Sequence, residues 1–263
     1  MKIQQICRIL ILSICTSLTT VTSVSGAHDY TADIEKISFT HYSTNEGLSH
    51  STVLSCCQDS LGHLWFGTFD GLNRFDGNRF TTYKHDPSDS TSIASDLVRK
   101  VYVDKSGIVW IGTEKGLSRY DHNRDAFQNF ETGGRIVTGI AETGSGSHIM
   151  LAAGGTIQFF NTASATWDDI ALPIQRIGLG ATILYRHENR IWIGTESDGL
   201  FCSNIKEGDL TKISSVTTNK SIQCIITDGK HLWIAYEGDG LFKLDTTTGQ
   251  CINYKHSPPI LTV

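Results

Sequence analysis

One phrase recurs along this chain and governs what it can fold into. LWFGTFDGLNRFD at Leu64–Asp76 returns as VWIGTEKGLSRYD at Val109–Asp121, as RIWIGTESDGLFCSN at Arg190–Asn204 and as HLWIAYEGDGLFKLD at His231–Asp245. The gap between Trp110 and Trp192 is twice the usual spacing. A weaker copy, IMLAAGGTIQFFN at Ile149–Asn161, fills it with Met150 in the tryptophan place. Trp65, Trp110, Met150, Trp192 and Trp233 therefore mark five units at spacings of 45, 40, 42 and 41 residues. A fixed period of this size marks a repeat architecture.

Each unit has a strand-like run in front of the phrase: VLSCCQD, VRKVYVD, VTGIAET, ATILYRH and IQCIITD. Short turns such as SLGH, KSGI and GKH follow, built from residues that tolerate tight or left-handed backbone. Behind the phrase comes a further apolar pair, as in RFTTY, AFQNF, ATWDDI, LTKI and CINY. Four short β-type runs per unit, with no amphipathic helical pattern, predict the blade of a β-propeller. A lone four-stranded sheet cannot bury both faces, whereas radially stacked blades bury theirs on one another. The tryptophan column supplies the apolar plate between blades, and the glycines allow close backbone approach. The expected fold is all-β, a propeller of five four-stranded blades of about 41–45 residues near 50–83, 96–130, 136–170, 181–213 and 221–254.

Two features suggest a larger ring. ISFTHY at Ile37–Tyr42 reads as a fourth strand without its own blade, and YKHSPP at Tyr254–Pro259 repeats YKHDPS, the connector at Tyr83–Ser88. The expectation is an incomplete part of a seven-bladed ring, cut in the connector after residue 254 and marginally stable for its open strand edges.

The first 27 residues differ in kind. Lys2 and Arg8 precede and flank ILILSICTSL, too short to span a bilayer, and Ser25-Gly26-Ala27 offers small residues for cleavage. This reads as a secretory signal peptide, leaving residues 28–263 as the exported propeller with a charge near −7. That charge gives no footprint for nucleic acid. Cys56, Cys57, Cys202, Cys224 and Cys251 remain, an odd number at low density without a CxxC pair, and most read as small buried strand residues.

The stretch from GLSHSTVLSCCQD through VWIGTEKGLSRYD resembles the two-component regulator propeller repeat, the resemblance extending over about residues 36–259. That resemblance implies the periplasmic sensor region of a Bacteroides-type hybrid two-component system. In that family a signal peptide and two propellers precede a β-sandwich, a membrane helix, a histidine kinase, a receiver and often an AraC-type DNA-binding domain. It implies a ligand from polysaccharide breakdown, a homodimer in the full-length protein, and membrane attachment only through later segments. None of the kinase motifs stands in this sequence.

Chemistry-bearing motifs are sparse. The ten histidines form no HExxH pair, there is no GxSxG elbow or Walker glycine loop, and GSGSH at Gly144–His148 occupies a turn slot. Neither a metal nor a cofactor is expected. Loops on a rigid scaffold are the place for a site. The turns between second and third strands open on one propeller face and collect Asp70, Glu114, Glu196, Asp198, Glu237 and Asp239, with Phe69 and Tyr236 beside them. Carboxylates with neighbouring aromatics suit sugar hydroxyls and ring faces, although the same acids also serve as plain turn formers. Arg99 and Arg186 could receive an acidic sugar or form ion pairs within the propeller. A secreted propeller enzyme of lyase or hydrolase type and a free-standing interaction scaffold are the competing readings.

Overall fold

The computed structural model describes residues 40–143, 148–168, 180–204, 210–216 and 219–254. The leader at 1–27, the start of ISFTHY, residues 144–147 and the YKHSPP repeat after Tyr254 lie outside the described residues. The end of ISFTHY, Thr40–Tyr42, carries no strand. All blades belong to one compact unit, Ser43–Val263.

Among the described residues five antiparallel meanders follow one another. Blade 1 is β1 (Val53–Gln58), β2 (Leu64–Thr68), β3 (Gly71–Phe75) and β4 (Phe80–Tyr83). Blade 2 is β5 (Val98–Val103), β6 (Val109–Thr113), β7 (Gly116–Asp121) and β8 (Ala126–Phe130). Blade 3 is β9 (Val137–Glu142), β10 (His148–Ala153), β11 (Thr156–Asn161) and β12 (Thr166–Asp168). Blade 4 is β13 (Ala181–His187), β14 (Arg190–Thr195), β15 (Leu200–Asn204) and β16 (Leu210–Lys212). Blade 5 is β17 (Ile222–Thr227), β18 (His231–Tyr236), β19 (Gly240–Asp245) and β20 (Cys251–Tyr254). The first strands β1, β5, β9, β13 and β17 pack side by side in that order, so they are the inner strands and share one axis. The five-bladed, four-stranded architecture expected from the repeat is therefore present.

The repeated phrase resolves into three devices. The aromatic plate comes first: Trp65, Trp110, Met150 and Trp192 are at most 2% exposed. Each joins side chains of the following blade, as in the edge-on contact of Trp65 with Tyr120 at 4.8 Å and of Trp110 with Phe160 at 5.7 Å. Trp233 is half-buried, stacked on Tyr254 with the Lys243 ammonium over its ring.

The second device is the glycine two residues on. A Cβ at Gly67 would stand 2.7 Å from Val98 Cγ1, one at Gly112 2.7 Å from Val137 Cγ1, and one at Gly194 2.8 Å from Ile222 Cγ2. Their φ angles lie outside the left-handed region, so space alone demands glycine here. Blade 3 has Ala152 in this slot, and the residue it meets is Ala181 rather than Val or Ile; both are buried in one cluster. The lost methyls on one side match the gained methyl on the other.

The third device is an aspartate before the second strand. Asp59 Oδ1 accepts the amides of Leu61 (3.0 Å) and His63 (2.9 Å), while its Oδ2 accepts the Trp65 indole N–H at 2.9 Å. Asp104 does the same for Ser106, Ile108 and Trp110, and Asp228 for Lys230, His231 and Trp233. One carboxylate thus closes the turn and orients the plate. Burial opposes charge on Asp59, but hydrogen bonds from Trp65 and His63 outweigh it and hold the carboxyl below its usual range. Blade 4 has His187 in the place of Asp228, and among the described residues the buried Trp192 Nε1 has no hydrogen-bond partner.

The cysteines correct one expectation. All five lie on strands, but only Cys202 is buried. Cys56 is exposed, whereas its equivalents Val101, Ile140, Leu184 and Ile225 are at most 4% exposed because the preceding blade covers them.

Candidate functional site

The inner strands break the simple alternation of a β-strand at one repeated point. Pairing with the second strand shifts register between Val53 and Ser55, Val98 and Lys100, Ala181 and Ile183, and Ile222 and Cys224. In blade 3 the shift falls at Ala152/Ala153, opposite Thr138. Each blade therefore carries a β-bulge on the second residue of its inner strand: Leu54, Arg99, Thr138, Thr182 and Gln223. The bulge lets the first and fourth residues both face the previous blade, which is why Val98 and Val101, or Ile222 and Ile225, are buried together. It also turns the second residue toward the axis.

All five bulge residues line a single cavity of about 880 Å³ at one mouth of the axis, together with Glu196, Glu237 and the connector residues Asn219–Ser221. A second hollow of about 450 Å³ continues from it between blades 2 and 4, over Gly154, Gly155 and Gly180. The walls differ in chemistry. Blade 1 contributes Leu54, 37% exposed, and blade 2 contributes the Arg99 guanidinium. Thr138 and Thr182 serve structure as well: each hydroxyl donates toward a carbonyl of the next inner strand, Ala181 at 3.3 Å and Ile222 at 3.0 Å. Gln223 Nε2 reaches Glu237 Oε2 at 3.5 Å, and Arg99 Nη2 reaches Glu114 Oε1 at 3.4 Å. In both blades the bulge residue is thus tethered to the acid after the second strand.

The turn residues singled out in the sequence do not stay together. Glu196 and Glu237 line the axial mouth, and Glu114 holds Arg99 beside it. Phe69 is 42% exposed, with its ring edge against His50 at 5.7 Å. Asp70 instead takes the Lys84 ammonium on both oxygens at 2.8 Å, and the Asp198 amide donates to Thr195 Oγ1 at 3.0 Å within its turn. Asp239 stands in the β18–β19 turn. Tyr236 is only 6% exposed and packs edge-on against Phe242 at 4.8 Å, so its ring face is a core surface. Burial drives its phenol pKa upward.

Leu54, Thr138, Thr182 and Gln223 were not singled out from the sequence. Their signal is the i, i+3 spacing of apolar residues inside a strand-like run, which an unbulged strand cannot place on one face. Arg186, the other arginine singled out, lies at a separate hollow with Tyr102, Glu142 and Glu188, toward the far ends of the inner strands. A larger hollow of about 1290 Å³ runs along the outer flank of blade 2, lined by Arg119–Asp121 and Phe127–Asn129. Its lining comes from one blade and its connectors, so it lacks the convergence of five blades that marks the axial mouth. Among the described residues no three His, Cys, Asp or Glu side chains gather as a metal-binding group, and no helix is long and apolar enough to cross a membrane.

Residues 47–70, from the connector through the first WxGT phrase, match the two component regulator propeller family. A 56-residue stretch, 21% of this chain and 4% of the relative, is 50% identical to histidine kinase P4 of Formosa agariphila. Among solved structures, the extracellular domain of BT3049 from B. thetaiotaomicron, assigned as a hybrid two component system, is similar over 81% of this chain and 31% of its own, with 26% identity and a TM-score of 0.68. The virginiamycin B lyase of Staphylococcus aureus shares the fold at 16% identity and a TM-score of 0.62, over 79% of this chain and 71% of its own. The chain thus spans about a third of the extracellular domain it matches and a small part of the kinase. Residues 47–70 thus carry a two component regulator propeller repeat, and the five-bladed chain is similar in fold to the extracellular domain of a hybrid two component system.

Proposed function

We propose that this propeller is the periplasmic ligand-sensing region of a two-component regulator, that it reads oligosaccharides released from polysaccharides, and that it relays occupancy to a kinase carried elsewhere. The observation that carries this reading is the axial mouth. Five equivalent bulge residues from five blades meet there, so a ligand touches every blade at once and its binding bears on their relative packing. The lining combines an apolar wall at Leu54 with carboxylate, amide and guanidinium groups at Glu196, Glu237, Gln223 and Arg99. That mixture suits a sugar, which offers hydroxyls in its plane and apolar C–H faces above and below it. The likeness to an extracellular domain of a hybrid two component system supports export and sensing.

Isothermal titration of the chain with a panel of oligosaccharides from plant and algal polysaccharides tests this. Saturable binding without turnover, weakened at least tenfold by Glu237→Ala together with Gln223→Ala, is expected. Cleavage or elimination of a bound oligosaccharide by the chain would replace the sensor reading with an enzyme. Absence of binding across the panel would overturn it.

A further inference from the structure

We infer that the axial mouth is built for an acidic oligosaccharide, one whose carboxylate or sulfate sits on Arg99. This rests on the reading of the mouth as a sugar site and adds the charge class of the ligand. Of the five equivalent bulge residues only Arg99 is charged; the others are Leu54, Thr138, Thr182 and Gln223. The two threonines hydrogen-bond to the next inner strand, so that position has a structural solution, and arginine departs from it. The departure is incompletely compensated within the protein. Among the described residues Arg99 has one carboxylate neighbour, Glu114, at 3.4 Å on Nη2, and its Nε is enclosed without a hydrogen-bond partner. With Nε enclosed, the terminal Nη donors, engaged by one long contact, are the groups open to an oxyanion.

The space beside it is shaped by absence of side chains. The slot that holds Glu114 in blade 2 and Glu196 in blade 4 holds Gly154 in blade 3, which leaves the hollow of about 450 Å³ between Arg99 and Glu196. Small-molecule pockets run from roughly 300 to 1,000 Å³, so this notch fits one end of a ligand and the 880 Å³ mouth takes the rest. Gly180 has φ +60, and a Cβ there would stand 3.1 Å from Glu196 Oε2, so glycine keeps that carboxylate in place over the notch. Glu196 and Glu237 repel an anion on the blade 4 and 5 side and accept hydroxyls instead. Lys220, in the connector before blade 5, is the other cation of the lining, so the acid group is assigned to Arg99 by its place among the bulge residues and beside the notch, and Arg99→Gln separates the two cations.

The test is titration of the whole chain with three trisaccharides of galactose type: tri-galacturonate, a sulfated galactan trisaccharide, and the neutral galactose trisaccharide. At least one acidic probe is expected to bind tenfold or more tightly than the neutral one, with affinity falling as salt is raised. Which acidic probe prevails separates carboxylate from sulfate. Arg99→Gln is expected to erase the preference and Arg99→Lys to restore part of it, with both variants melting within a few degrees of the parent. Equal or tighter binding of the neutral probe overturns the role of Arg99 and leaves the sugar-site reading standing. An acidic preference that survives Arg99→Gln also overturns it. Binding of none of the three overturns the inference, and the wider oligosaccharide panel then decides the sugar-site reading.

Discussion

The size match across blade interfaces makes a quantitative prediction at Gly112 and Val137. An alanine at 112 would place its Cβ 2.7 Å from Val137 Cγ1, 3.0 Å from the Val137 carbonyl oxygen and 3.1 Å from Val137 Cβ. Overpacking of this kind costs about 1–3 kcal/mol, and the reduced entropy of the unfolded chain returns roughly 0.4–1 kcal/mol. Gly112→Ala should therefore destabilise the protein by about 1–2 kcal/mol. Val137→Ala removes two methyl groups from a fully buried side chain, worth about 0.8 kcal/mol each with a cavity penalty added, or about 2 kcal/mol. In the double variant the new methyl enters the vacated space, as Ala152 and Ala181 coexist in the next interface. The pair should then cost about 2–3 kcal/mol, short of the additive sum by about 1 kcal/mol or more. Recovery stays partial because the carbonyl oxygen does not move with the side chain. Urea unfolding followed by tryptophan fluorescence, read with equal m-values, gives the three numbers. Additivity within about 0.5 kcal/mol would refute the argument that these residues are matched by size.

Further outcomes follow from the aspartate clip and the turns. His187→Asp with Glu188→Gly copies Asp228-Gly229 into blade 4, where Glu188 now has φ 53, and gives the buried Trp192 Nε1 an acceptor. Melting should rise by about 2–4 °C per kcal/mol gained, with about 1 kcal/mol expected; a fall would show that Trp192 does not want a partner. Asp104→Ala strips the acceptor from two turn amides and from Trp110, and should lower stability by about 2–3 kcal/mol in the same urea assay. Asp59 has its folded pKa held below the unfolded value, so its contribution is present above the ordinary carboxylate range and is lost as pH falls through the folded value. Stability should decline from about pH 5 downward, and Asp59→Asn should flatten that decline in a series of melts.

Much of the fold was legible because each unit repeats it. The WxGT phrase placed the second strand, the glycine after it placed the turn, and the Met150 copy was found from spacing alone. The site was legible only in part. The acids after the second strand were readable as a set, and Glu196 and Glu237 do reach the mouth. Tyr236 misled because it neighbours Glu237 in sequence. Successive strand residues face opposite ways, and Tyr236 holds the slot of Thr68, Thr113 and Thr195, all fully buried. Asp70 was equally plausible until Lys84, fourteen residues on, closed over it. The bulge row stayed hidden because strict alternation puts the second residue of each inner strand on a sheet face. Only the paired burial of Val98 with Val101, three apart, exposes the extra residue.

In the proposed function, five blades share one ligand mouth. Hydrogen exchange of the chain, with and without a saturating oligosaccharide from the binding panel, is the decisive measurement. Slowed exchange is expected together at the starts of all five inner strands, at Leu54, Arg99, Thr138, Thr182 and Gln223, and at the turns bearing Glu196 and Glu237. Protection confined to the outer flank of blade 2, around Arg119 to Asn129, would contradict it.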